Sequence, residues 1–153
     1  MEFLTGVKTQ ETLEISTLLT GDYEGKEVKI NGSVHAIRDM GEVAFVILRK
    51  REGLLQCVFE KEFMEFDLKD LKEAATLEAK GVLRKEERAP GGIEIHLKKI
   101  TVLSQPTEAM PLTISKWKLD TSLDAKLNNR AVSLRNIRER AKFKIQEGLV
   151  RGF

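Results

Sequence analysis

From residue 26 to residue 36, apolar and polar side chains alternate. Val28, Ile30, Val34 and Ala36 stand against Lys29, Asn31, Ser33 and His35, the period of a half-buried strand. Gly32 interrupts the pattern where a bend or bulge fits. Two apolar runs follow at residues 43–48 and 54–59, joined by a charged turn ending in Gly53, which predicts a β-hairpin. The period then changes. Phe63, Phe66, Leu68, Leu71 and Ala75 are spaced as on a short amphipathic helix over residues 62–75. Alternation returns with Leu77, Ala79 and Leu83 against Glu78, Lys80 and Arg84, and "APGG" at residues 89–92 is turn chemistry. Ile93, Ile95 and Leu97 then share one side until the phase slips at Lys98 and Lys99. A bulge there would restore it for Ile100 and Val102.

The predicted order is three strands, a helix and two strands. That is the layout of an all-β core in the form of an OB-fold, a five-stranded Greek-key barrel with one helix between its third and fourth strands. The barrel occupies residues 25–105, after a lead-in over residues 1–24 with a short helical turn at "STLL". Pro106 and Pro111 open a hinge over residues 106–132. From Ser133 to the last residue, Leu134, Ile137, Ala141, Ile145 and Leu149 form one apolar stripe on an amphipathic helix, with Arg135, Arg138, Arg140, Lys142 and Lys144 around it. Such a helix draws its stability from packing. The stripe is expected to lie on the barrel or on a second copy, or else to be poorly ordered, and the chain to be cut from a longer protein.

Charge changes this picture by its placement more than by its sum. The net charge is only +2, but residues 1–24 carry five acids against Lys8, and residues 126–153 carry eight Lys and Arg against Glu139 and Glu147. A basic end of this kind fits an anionic partner, a charged interface or a solvated helix face. Cys57, the one cysteine, has no Cys or His near it at metal-ligand spacing and reads as a buried small hydrophobe. No stretch approaches the ~20 apolar residues of a membrane span, so a cytoplasmic protein is expected.

The hairpin carries more than core. Arg38 stands just before it, Phe45 lies in its first strand and Gln56 in its second. Singly, these read as core or surface filling. On the second and third strands of an OB-fold, where oligonucleotides commonly bind, they form a set. A phenyl ring can stack a splayed base. An amide offers a donor and an acceptor to a base edge, and a guanidinium adds charge-assisted donors.

At these residues the sequence resembles the N-terminal anticodon-binding region of the class II aspartyl- and asparaginyl-tRNA synthetases. The matching stretches are "GKEVKINGSVHAIRDMG", "FVILRKREGLLQ", "APGGIEI" and "LDAKLNNRAVSLRNIRERAKFKIQ". The resemblance implies that Arg38, Phe45 and Gln56 read the uridine at the middle anticodon position, assisted by a fourth-strand glutamate, Glu78. It also implies that residues 133–153 open the catalytic domain as a dimer-interface helix. The ATP and amino-acid motifs would lie beyond this stretch, so no catalytic or metal site is expected within it. ATP and magnesium are expected only for the full-length, homodimeric enzyme, whose reaction would be ATP-dependent aminoacylation of tRNA. In the family's pattern, Ser33 stands in place of a frequent tryptophan, and Ile47 and Lys50 in place of acidic residues. A free-standing OB-fold nucleic-acid-binding protein without catalysis, and a lysyl-tRNA synthetase module, are the alternatives. The "APGG" turn and the "LNNR" segment fit the last of these less well.

Overall fold

A computed structural model describes residues 2–3, 12–63 and 68–153. The chain divides into two compact units that meet between Thr107 and Glu108. The first is a barrel. Its strands are β1 (Glu2–Phe3), β2 (Glu27–Asp39), β3 (Val43–Arg49), β4 (Leu54–Glu60), β5 (Thr76–Lys85) and β6 (Ile93–Ser104). β2, β3 and β4 form an antiparallel meander. β4 pairs in parallel with β6, β6 pairs antiparallel with β5, and β5 returns to β2, so the sheet closes into a ring. The two residues of β1 extend the free edge of β6 at Thr101 and Val102.

Alternation chooses the inside. Ala44, Val46, Leu48, Leu55, Cys57, Phe59, Leu77, Ala79, Ile95, Ile100 and Val102 are buried in one cluster with Val28, Ile30 and Val34. Burial pushes the Cys57 thiol well above its ordinary value, so it behaves as a small hydrophobe.

Two bulges adjust the ring. One lies where the phase slip predicts it: Lys80 pairs with Lys99 and Gly81 with Leu97, leaving Lys98 as the extra residue. The other lies beyond Gly32, between Val34 and Ala36. It changes the outcome expected from alternation alone. His35, expected outside, is only 5% exposed, while Ala36 turns outward and Ile37 packs against the core. The bulge also carries Arg38 to the outer face, opposite Phe45.

His35 Nδ1 has no hydrogen-bond partner among the described residues. Burial first, and the nearby Arg49 charge second, hold the His35 pKa below the ordinary histidine value of 6.5. The unfolded chain therefore binds a proton at a pH where the folded chain resists it, and stability falls as pH drops below that value. Urea unfolding of wild type and His35→Gln across this range is expected to show a shallower decline for the variant. Equal slopes would mean that His35 does not carry the effect.

The connection from β4 to β5 differs from the expected helix over residues 62–75. Two 3₁₀ turns stand there, Lys61–Phe63 and Leu68–Asp70, while residues 64–67 lie outside the described residues. Past Asp70 the backbone turns to β2 for its partners. The Ala74 amide donates to the Val34 carbonyl at 2.8 Å and the Val34 amide to Ala75 at 2.7 Å. Strand bonding replaces the helical bonds that continuation would need.

The lead-in is tied to the barrel by α1 (Ile15–Thr20) and by Lys50, whose side chain is 3% exposed. Its Nζ donates to the Leu13 carbonyl at 2.9 Å and to Asn31 Oδ1 at 3.1 Å, and lies 3.4 Å from Glu14 Oε1. The acidic-to-basic change noted at position 50 thus does structural service.

The second unit holds α2 (Leu123–Asn128), α3 (Arg130–Ser133) and α4 (Ile137–Arg151). α4 begins at Ile137 rather than at Ser133 because Asn136 caps it. Its Oδ1 accepts from the Arg138 and Glu139 amides at 3.1 and 3.2 Å. The expected stripe is exposed over its C-terminal part, with Ile145 65% and Leu149 62% exposed, while Leu134 and Ile137 are half-buried. No helix among the described residues is long and apolar enough to cross a membrane.

Candidate nucleic-acid interface

Cross-strand partners share a face, so register locates the site. Arg38 on β2 faces Phe45 on β3, and Phe45 faces Val58 on β4. Gln56, two residues before Val58, is paired with Ile47 and is therefore a diagonal neighbour of Phe45, a spacing of about 7–8 Å. Arg38, Phe45 and Gln56 thus share the outer face of the hairpin. Val58 and Ile47 are outer-face residues too, yet only 5% and 4% exposed. They make an apolar floor around Phe45, which is half-buried. Arg38 is exposed and makes no hydrogen bond or ion pair among the described residues.

The turn between β2 and β3 is well built. The Met40 amide donates to the Val43 carbonyl at 2.9 Å, and Gly41, at φ +99°, donates to Asp39 Oδ1 at 2.9 Å. That backbone hydrogen bond first, and Lys61 second, hold the Asp39 carboxyl below its ordinary range. Arg38 and Phe45 therefore hang from a fixed corner.

The parallel pairing of β4 with β6 adds residues that hairpin reasoning missed. Glu94 lies opposite Gln56, and His96 opposite Val58. Gln56 Nε2 donates to Glu94 Oε2 at 3.0 Å. Glu94 Oε1 lies 2.9 Å from His96 Nε2, and His96 Nδ1 lies 3.0 Å from Glu60 Oε1. This chain of polar groups crosses two strands on the outer face and fixes the Gln56 amide. With Nε2 held by Glu94, the Gln56 carbonyl oxygen is left without a hydrogen-bond partner among the described residues. Alternation did place Glu94 and His96 outside. What it could not supply was the neighbour, since nothing local says that β6 lies beside β4.

Glu78 is not part of this group. On β5 it faces Asn31 and Thr101, six residues from Arg84, which is the position level with Glu94. At strand rise that is about 20 Å. The Glu78 side chain is 8% exposed, and its Oε2 lies 2.9 Å from Lys29 Nζ, off-line for a hydrogen bond. The glutamate beside Gln56 is Glu94. Among the described residues no cluster of His, Cys, Asp and Glu could hold a metal ion.

The face is closed at one margin by the Pro90–Gly92 turn, which packs against β4. Gly91 and Gly92 there have φ of +81° and +75°, a conformation glycine adopts without strain. The arrangement is a half-buried aromatic ring beside buried Val58 and Ile47, an amide oxygen without a partner among the described residues and an exposed guanidinium, all on the outer face of the sheet. Chemically, it can stack a planar base, accept a hydrogen bond from that base's edge and hold a phosphate or base acceptor.

Residues 28–103 match the family model described as an OB-fold nucleic acid binding domain, tRNA anti-codon. The chain is 36% identical over 136 residues to the aspartate–tRNA(Asp/Asn) ligase of Sulfurisphaera tokodaii, covering 88% of this chain and 32% of that protein. To the aspartate–tRNA(Asp/Asn) ligase of Archaeoglobus fulgidus it is 36% identical, covering 82% of this chain and 30% of that one. Among solved structures, asparaginyl-tRNA synthetase from Pyrococcus horikoshii superimposes with a TM-score of 0.72 at 26% identity, over 84% of this chain and 31% of that one. The chain spans about a third of the length of the curated relatives it matches. The barrel, its outer face and these matches together place the chain in the tRNA anticodon-binding OB-fold family, in the branch carried by aspartyl- and asparaginyl-tRNA synthetases.

Proposed function

We propose that the barrel reads the anticodon of tRNA through its outer face, as the anticodon module of a cytoplasmic aspartate- or asparagine-type tRNA ligase. In the full-length protein, ATP-dependent aminoacylation with magnesium would belong to residues outside this stretch. That protein would pair as a homodimer through α4, a reading supported by the exposed Ile145 and Leu149. The observation that carries the proposal is the fixed amide of Gln56 beside the ring of Phe45. Its oxygen, the end of the amide that Glu94 does not hold, accepts the N3–H of uridine, whereas the N3 of cytidine is an acceptor and meets that oxygen with repulsion. The middle anticodon base is the position assigned to this pair.

The test is Gln56→Ala titrated against anticodon stem-loops bearing uridine or cytidine at the middle position. Wild type is expected to prefer uridine. The variant is expected to lose most of that preference while its salt dependence stays the same, because no phosphate contact is removed. Glu94→Gln should act in the same direction, since a neutral amide partner leaves Gln56 free to flip. If Gln56→Ala keeps the full uridine preference, Gln56 does not read the base.

A further inference from the structure

The same outer surface holds a second feature, on β2, β5 and β6. Lys29 lies directly opposite Lys80, and Lys80 directly opposite Lys99. Three cations thus stand in one cross-strand row, with β-carbons about 4.5–5.5 Å apart. Like charges placed so destabilise a sheet, and the fold compensates only in part. Lys29 is held by Glu78 at 2.9 Å and the neighbouring Lys98 by Glu27 at 2.9 Å. Lys80, in the middle, is exposed and makes neither hydrogen bond nor ion pair among the described residues. Other lysines on this unit, Lys26, Lys61 and Lys85, each face a carboxylate of Asp22, Asp39 or Glu24. Glu27 is an acid that feels the charge of Lys80. Its carboxyl lies below the ordinary range through the hydrogen bond and charge of Lys98 first, and through Lys80 only weakly.

We infer that the row Lys29–Lys80–Lys99 is a backbone-phosphate contact for the RNA that flanks the bases held at Phe45 and Gln56. The inference rests on the anticodon-reading assignment above. Two distances support it. Lys99 follows His96 by three residues on β6, about 10 Å at strand rise, and Lys80 precedes Arg84 by four on β5, about 13 Å. Both side chains point to the face that carries Glu94 and His96. An RNA strand leaving the Gln56 position across β6 reaches the row within a few nucleotides, and a phosphate there supplies the counter-charge that Lys80 lacks among the described residues. Lysine suits this role, since it offers a point charge that holds phosphate without reading sequence.

The experiment uses the 153-residue chain and an anticodon stem-loop with uridine or cytidine at the middle position, titrated at several salt concentrations. Lys80→Ala and Lys80→Arg are compared with wild type. Lys29 is left alone because Glu78 would lose its partner. Lys80→Ala is expected to lower the salt slope by about 1 and to weaken both loops by the same factor, so that the uridine preference is unchanged. Lys80→Arg is expected to restore the slope. A slope and affinity equal to wild type in Lys80→Ala, with its circular dichroism unaltered, would overturn the phosphate contact while leaving base reading intact. A wild type that binds RNA with the Lys80-dependent slope but no base preference would overturn the reading and leave the contact standing. No RNA binding by wild type would overturn both.

Discussion

Replacing Phe45 by alanine is expected to weaken binding of a cognate anticodon stem-loop by roughly 1–3 kcal/mol, about five- to 150-fold. The ring stands on the outer face beside Val58, its cross-strand partner, and Ile47, two residues along its own strand, both of them buried. Its exposed side is what a base can cover. The neighbours of Phe45 in the chain, Ala44 and Val46, point the other way into the core and are 0% and 1% exposed. The substitution therefore leaves the inner packing untouched, and the loss appears in binding rather than in unfolding. Phe45→Leu separates the causes. Leucine keeps apolar volume beside Val58 and Ile47 but has no π-face, so it is expected to unfold as wild type does and still to bind as weakly as alanine. Phe45→Tyr, which keeps the ring, is expected to bind near wild type. Anisotropy titration of a labelled stem-loop measures all three. An affinity for Phe45→Ala within twofold of wild type would mean that no base stacks there.

How much of this site was legible in the sequence depends on how far each inference reached along the chain. The strands, and the inner residues of β2, β5 and most of β6, follow from alternation, because a period of two decides which side chains face water; the hairpin of β3 and β4 is apolar at nearly every position, so its inner face does not. The bulge at Lys98 was legible for the same reason, as a break in phase. The bulge at His35 was not. Its two sides, Val34 and Ala36, are both small and apolar, so the pattern ran through it without a visible slip. That hidden residue sets Arg38 opposite Phe45. The helix expected over residues 62–75 had the right apolar spacing, but spacing cannot see Val34, whose backbone captures Ala74 and Ala75. Glu78 and Glu94 show the limit most plainly. Both are strand glutamates at outward positions, and only the ring closure, with β6 parallel to β4, tells which one stands beside Gln56.

Asn136→Ala is expected to destabilise the second unit by about 2–4 kcal/mol, more than the loss of a helix cap alone. The residue is 2% exposed and works at both ends of its amide. Its oxygen caps α4 through the Arg138 and Glu139 amides, while its Nδ2 donates to the carbonyls of Ile114 and Lys116 at 2.9 and 2.7 Å. One side chain thus starts the helix and pins the segment that precedes α2. The apolar stripe put the start of this helix at Ser133, and only the cap geometry moves it to Ile137. Its Nδ2 partners lie on a segment some twenty residues away, beyond the reach of any local pattern. Alanine removes the cap, worth about 0.5–2 kcal/mol, and leaves two carbonyls without their donor, at about 1–3 kcal/mol for a buried group. Asn136→Ser isolates the first term, since a hydroxyl can still cap but is too short to reach Ile114 and Lys116. Its loss is expected to fall between wild type and alanine. Urea unfolding followed by far-ultraviolet circular dichroism reports the change, because most of the helix lies in this unit. Trp117, the one tryptophan, gives a local reading, since Arg138 stacks over its ring at 6.0 Å. A midpoint for Asn136→Ala no lower than that of Asn136→Ser would show that the Nδ2 hydrogen bonds do not hold the segment in place.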